Sequence, residues 1–202
     1  MTLTLANLPD EQRATPVDVA DYPMDDDAFY AFCQHNEHLK LERNPDGTII
    51  VVPNTGGKTG NRNSAITYTL YSWTMKNAGI SFDSSTAFKL PNGATRSPDA
   101  AWISDARWKA LTEQEQEKFP PIAPDFVIEL MSATDTQTKA KDKMLEYMAN
   151  GVLLAWLIDP KAEEVFMYRA DGSIGKHIDF EQPLTGEAVL PGFSFDLRLL
   201  RR

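Results

Sequence analysis

The 202-residue chain contains a single cysteine, Cys33, so it forms no disulfide within itself, and a reducing compartment is expected. With no partner to make it a nucleophile, Cys33 reads as a core filler. Histidine is scarce as well. His35, His38 and His177 stand apart in polar surroundings, without the i, i+4 spacing or cysteine partners that a zinc site needs. No run of about 18 apolar residues occurs, and the first residues lack a basic stretch leading into an apolar one. No membrane span or secretion signal is therefore expected, and a cytoplasmic location is. Internal repeats, heptad arrays and low-complexity tracts are missing too. Positive charge is in deficit: the formal net charge is −9, which argues against a generic nucleic-acid binder and leaves the question to local charge at a contact face. Gly56-Gly57-Lys58-Thr59-Gly60 lacks the Gly-x4-Gly-Lys-Ser/Thr spacing and the leading strand of a phosphate loop, which excludes an NTPase of that kind.

What is present suits one globular domain over 1–202. The chain is 42% hydrophobic and 10% aromatic, and at this length folding buries roughly 70% of the extended surface. Residues 1–22, with Pro9 and Pro16, read as an irregular arm before a core at 23–198. Asp25, Asp26 and Asp27 form an acidic first turn ahead of Phe29, Tyr30 and Phe32, predicting a short helix. Asn44-Pro45-Asp46-Gly47 marks a hairpin turn between Leu39/Leu41 and the apolar 49–52. The loop from Asn54 to Gly60 opens a helix on which Ile66, Leu70 and Trp73 share a face. Short strands are expected at 88–90 and 100–103 around Pro91-Asn92-Gly93, and a polar helix with Trp108 and Leu111 buried over 105–118. The nearly continuous apolar run at 126–131 predicts a strand covered on both faces. A helix from Asp135 to about Ala149 and a second apolar strand at 153–158 complete a strand–helix–strand unit. A terminal hairpin follows at 165–168 and 174–180. These elements predict an α/β fold: a mixed sheet flanked by helices, with hairpins at both ends.

Three residues carry candidate chemistry. Glu129 lies inside an otherwise apolar strand, where an unpaired carboxylate would cost several kcal/mol, so a basic side chain or a metal ion must meet it. Ser97-Pro98-Asp99 is by itself a turn dipeptide before the strand at 100–103. Two neighbouring strands can also bring Asp99 and Glu129 together as oxygen ligands for Mg²⁺. On the helix at 135–149, Ala140, Met144, Tyr147 and Met148 make the apolar stripe, and Lys143 borders it while Lys139 and Lys141 point further out. Its ammonium either reaches water or reaches back over the sheet to the carboxylates.

The ordered set Ser97-Pro98-Asp99-Ala100-Ala101-Trp102, Pro124-Asp125-Phe126-Val127-Ile128-Glu129-Leu130, Lys143-Met144, Tyr147, Gly151 and Trp156-Leu157-Ile158-Asp159-Pro160 resembles the Uma-two family of restriction-type endonucleases, within the PD-(D/E)XK nuclease superfamily. Leu41-Glu42-Arg43, Thr59-Gly60-Asn61-Arg62-Asn63 and Leu190-Pro191-Gly192-Phe193 extend the resemblance over about residues 22–198. It implies a DNA phosphodiesterase in which Asp99, Glu129 and the Leu130 carbonyl hold Mg²⁺ or Mn²⁺. The superfamily lysine would fall at Met131, so its role passes to Lys143, and Glu42 matches a further acidic position near the metal. The alternative is a nuclease fold that has lost activity and serves in binding or assembly. Asp125 belongs to the same strand as Glu129 and is set aside as a decoy. Lys58 and Arg62 at the helix start are candidate contacts for backbone phosphate. The resemblance also implies a homodimer, for which the terminal hairpin and Leu197, Leu199 and Leu200 offer apolar surface unless they complete the core.

Overall fold

Two larger sheets and a two-stranded ladder are built around the apolar runs. The computed structural model describes residues 15–17 and 23–201. β1 (Thr15–Val17), α1 (Asp26–His35), β2 (Lys40–Arg43) and β3 (Ile49–Val52) come first. α2 (Gly57–Thr74) leads into β4 (Ile80–Asp83), β5 (Phe88–Lys89), β6 (Thr95–Arg96) and β7 (Ala100–Ile103). Two short helices, α3 (Asp105–Trp108) and α4 (Glu113–Glu117), precede β8 (Phe126–Leu130), α5 (Gln137–Ala149) and β9 (Leu154–Asp159). β10 (Glu164–Arg169), β11 (Ile174–His177), β12 (Leu184–Thr185), β13 (Ser194–Phe195) and a 3-10 helix at Leu197–Arg201 follow.

The larger sheet has six strands in the order β11-β10-β9-β8-β7-β4. β8 and β9 are parallel because α5 connects them, and the other neighbours are antiparallel, which makes the sheet mixed as expected. Alternation along the strands splits the core in two. Trp102, Phe126, Ile128 and Trp156 face Ile66 and Leu70 of α2, together with Phe193, Leu197 and Leu200. Ala101, Val127, Ala155 and Leu157 face Met144 and Tyr147 of α5. α5 stops where Gly151 takes φ +95°, a left-handed turn that costs glycine little, and Val152 re-enters the core. The second sheet, in the order β1-β3-β2-β6-β5, packs Leu41, Ile49 and Val51 against Phe29 and Phe32 of α1, with Cys33 at the margin.

Several expectations need correction. Within the arm read as irregular, residues 15–17 pair with β3, and Pro16 is tolerated because β1 is an edge strand. The rest of 1–22 lies outside the described residues. The Pro91-Asn92-Gly93 turn joins β5 to β6 and not to β7, so the strands at 88–89 and 100–103 belong to different sheets. The segment at 105–118 breaks into α3 and α4, the second starting with a capping box between Thr112 and Glu115. Leu197 and Leu200 are wholly buried and complete the core, while Leu199 packs beside them only partly buried.

Candidate active site

The site forms where the chain crosses from one sheet to the other, through Ser97-Pro98-Asp99 between β6 and β7. The β7–β8 register pairs Ala100 with Ile128, so one step outward Asp99 faces Glu129 across the antiparallel ladder. Side chains so opposed share a face, with Cβ atoms typically about 4.5–5.5 Å apart. Asp99 is fixed at both oxygens: Asn63 of α2 donates to Oδ1 at 2.9 Å, and the Leu130 N–H donates to Oδ2 at 2.8 Å.

Lys143 of α5 reaches back over the sheet. Its Nζ lies 2.9 Å from Glu129 Oε1 and 3.0 Å from Glu42 Oε1, so one ammonium ties β8 to β2. Glu42 also accepts the Ser97 N–H at 3.0 Å and lies 3.8 Å from Arg96, its cross-strand neighbour on β6. Arg96 in turn donates to Glu146 of α5 at 2.6 Å and to the Arg43 carbonyl at 3.0 Å. Asp125 lies outside this group, bound to the Ser104 N–H and to Arg107, both at 2.7 Å. It anchors the entry to α3.

These surroundings divide the two glutamates. Burial pushes the Glu129 carboxyl up to about 7; Lys143 pulls it down, but the charges of Asp99 and Glu42 add to the rise. Burial would raise Glu42 too, yet Lys143, Arg96 and the Ser97 N–H outweigh it and hold it below the usual carboxylate range. For Lys143 burial opposes the charge, and Glu129 and Glu42 overcome that, so it stays protonated well above neutrality.

Tyr147 and Asn63 were not singled out from the sequence as site residues. The wholly buried Tyr147 donates its hydroxyl to Glu129 Oε1 at 2.8 Å, and burial followed by the charges of Glu129 and Glu42 keeps that hydroxyl protonated. Its place in the apolar stripe of α5 disguised it as packing. Asn63 falls on the inward face of α2 at i−3 and i−7 from the buried Ile66 and Leu70, and a polar residue in that row was the available signal. Tyr147→Phe is expected to lower stability by about 1 kcal/mol through the lost hydrogen bond, and a thermal melt equal to wild type would show that the hydroxyl contributes nothing.

Of the proposed phosphate contacts, Lys58 is exposed at the start of α2, while Arg62 Nε is held by the Leu200 carbonyl at 2.6 Å. Arg62 also lines a cleft with Met131, Ser132, Gln137 and Lys161 beyond the ends of β8 and β9. Among the described residues, no group of three or more His, Cys, Asp and Glu side chains is disposed to hold a metal ion. The acids that oppose each other directly are Asp99 and Glu129, with Glu42 engaged on the far side of Lys143.

In this α/β protein a mixed sheet flanked by helices brings together an acid entering one strand, an acid within its neighbour and a lysine from the next helix. Residues 26–198 match the model of the Uma2 family, described as "Putative restriction endonuclease", and the chain belongs to that family. Its fold is similar to that of a solved structure described as a "putative nuclease belonging to DUF820" from Anabaena variabilis. The two share 22% identity at a TM-score of 0.70, over 88% of this chain and 97% of that one. No curated protein matches the chain. No described helix is long and apolar enough to cross a membrane.

Proposed function

We propose that the protein is a divalent-metal-dependent endonuclease that hydrolyses DNA phosphodiester bonds. The carrying observation is the opposition of Asp99 and Glu129 across β7–β8 with the Lys143 ammonium on Glu129, in a chain of a family described as restriction endonucleases. The donor set fits a hard cation. Two carboxylates face one another, the charge of Asp99 adding to the rise of Glu129, and the Asn63 Oδ1 beside Asp99 is buried with no hydrogen-bond partner among the described residues. Asp99, Glu129 and the Leu130 carbonyl would hold Mg²⁺ or Mn²⁺, which when bound polarises a phosphate and acidifies water.

The chain's own groups do the rest. Lys143 carries a permanent positive charge at the site and can stabilise charge growing on a phosphate oxygen or orient the attacking water. Glu42 positions Lys143 and pins the turn at Ser97. α2 carries Lys58 and Arg62 and no acid, which supports its start as a contact for backbone phosphate, although Asp135 and Asp159 line the same cleft as Arg62. Duplex DNA presents two strands to cut, which supports a homodimer.

Supercoiled plasmid incubated with wild-type protein and millimolar Mg²⁺ or Mn²⁺ tests the reading. Wild type is expected to nick or linearise it, and Asp99→Ala to lose at least about 10³-fold in rate. Metal-independent cleavage, or cleavage retained by Asp99→Ala, overturns it. DNA binding without cleavage of any duplex or single-stranded substrate turns the protein into a nuclease-fold binding module.

A further inference from the structure

Asn63 presents an unusual pair of amide atoms. Its nitrogen donates to Asp99 Oδ1 at 2.9 Å, which fixes which way the amide faces, because the carboxylate accepts and cannot donate. Its oxygen is thereby turned to a place where it is buried and meets no donor among the described residues. A buried acceptor without a partner is unfavourable, so something other than the protein is expected to satisfy it. The neighbourhood limits what that is. Asp99 and Glu129 are the two acids that meet here, and no third His, Cys, Asp or Glu joins them in a metal-holding group among the described residues. Hard divalent cations take six or more oxygen donors, and amide carbonyls are common among them, so two carboxylates leave room for neutral oxygens.

We propose that Asn63 belongs to the cation site, its amide nitrogen orienting Asp99 and its amide oxygen serving as a neutral oxygen donor to the same Mg²⁺ or Mn²⁺. This rests on the metal-dependent reading above and adds to it a residue from α2, so that the cation ties α2 to β7 and β8. The two functions of Asn63 come apart on substitution. Asn63→Leu removes both the donor to Asp99 and the oxygen. Asn63→Asp removes the donor but keeps an oxygen, now charged.

Binding of Mn²⁺ to the purified full-length chain, followed by calorimetry and by electron paramagnetic resonance of the free ion, reads this without reference to cleavage. Asn63→Leu is expected to weaken Mn²⁺ binding by about 10–100-fold and, having lost the donor to Asp99, to melt somewhat lower than wild type without metal. Asn63→Asp is expected to bind Mn²⁺ as tightly as wild type or more tightly, and to melt lower than wild type without metal, because an acid now faces Asp99. If Asn63→Leu does not fold, Asn63→Ala takes its place. Wild-type affinity in Asn63→Leu overturns the proposal, as does an equal loss in Asn63→Leu and Asn63→Asp, which would make Asn63 a prop for Asp99 alone. A wild type that binds no Mn²⁺ overturns the metal-dependent reading itself and this proposal with it.

Discussion

Lys143→Met is expected to cut stability and cleavage together, with the larger loss in cleavage. The ammonium is the shared cation of two acids on different sheets, Glu129 at 2.9 Å and Glu42 at 3.0 Å. Taking one partner from a buried ion pair costs about 3–5 kcal/mol, because the charge left behind is neither solvated nor paired. Glu129 escapes most of that penalty by taking up a proton, since its carboxyl already titrates at about 7. Glu42 keeps the Ser97 N–H and the more distant Arg96 at 3.8 Å. The expected loss is therefore at the low end, about 3 kcal/mol, or a melting temperature lower by roughly 6–12 °C for a chain of this size. Cleavage should fall by about 10²–10³-fold, the effect of removing one preorganised group that meets transition-state charge. Metal-induced stabilisation should largely persist, because an ammonium is no ligand. Lys141→Met is the control: that side chain lies over Phe166 and bonds Gln137, without an acid partner. If Lys143→Met melts with wild type and cuts at its rate, the lysine is a surface residue.

The strand–helix–strand unit from β8 to β9 was legible because its apolar runs are continuous and its helix ends at Gly151. Glu129 stood out for the same reason, as a charge in a run that buries everything around it. β4 was missed, since Ile80-Ser81-Phe82-Asp83 is a half-exposed edge with no firm alternation. β6 was missed because two residues, one of them an arginine, carry no periodicity. Yet Arg96 is buried and links Glu42, the Arg43 carbonyl and Glu146. Such a residue owes its role to three segments far apart in the chain, and nothing local announces it. Resemblance places Glu42 near the metal, and its Oε1 is held by Lys143 and the Ser97 N–H. Sequence spacing brings acids together, but it does not say which of them the lysine neutralises.

Without metal, the protein is expected to become more stable as the pH falls from 8 to about 5, through a range where many proteins change little or weaken. The cause is Glu129, whose carboxyl rises from an ordinary 4.5 to about 7 on folding. The folded chain then binds a proton more tightly than the unfolded one, so between those values stability decreases as pH increases. The contribution is complete below 4.5 and is lost as pH passes 7; at about 1.36 kcal/mol per pH unit it is on the order of 3 kcal/mol. Glu42 acts in the opposite sense, but its carboxyl is held below the ordinary value, so its loss begins only at more acid pH. A stability maximum near pH 5 is the expected balance. Saturating Mg²⁺ or Mn²⁺ abolishes the slope, because the cation requires Glu129 ionised; its apparent affinity should fall about 30-fold from pH 8 to 5.5. Melting curves of wild type and Glu129→Gln across this range separate the carboxyl from every other titrating group. Glu129→Gln should lose the metal-free slope between pH 8 and 5 and respond weakly to metal at any pH. Parallel curves for the two proteins would mean that Glu129 stays ionised beside Lys143 throughout, as in an ordinary buried salt bridge, and that the pH slope has another source.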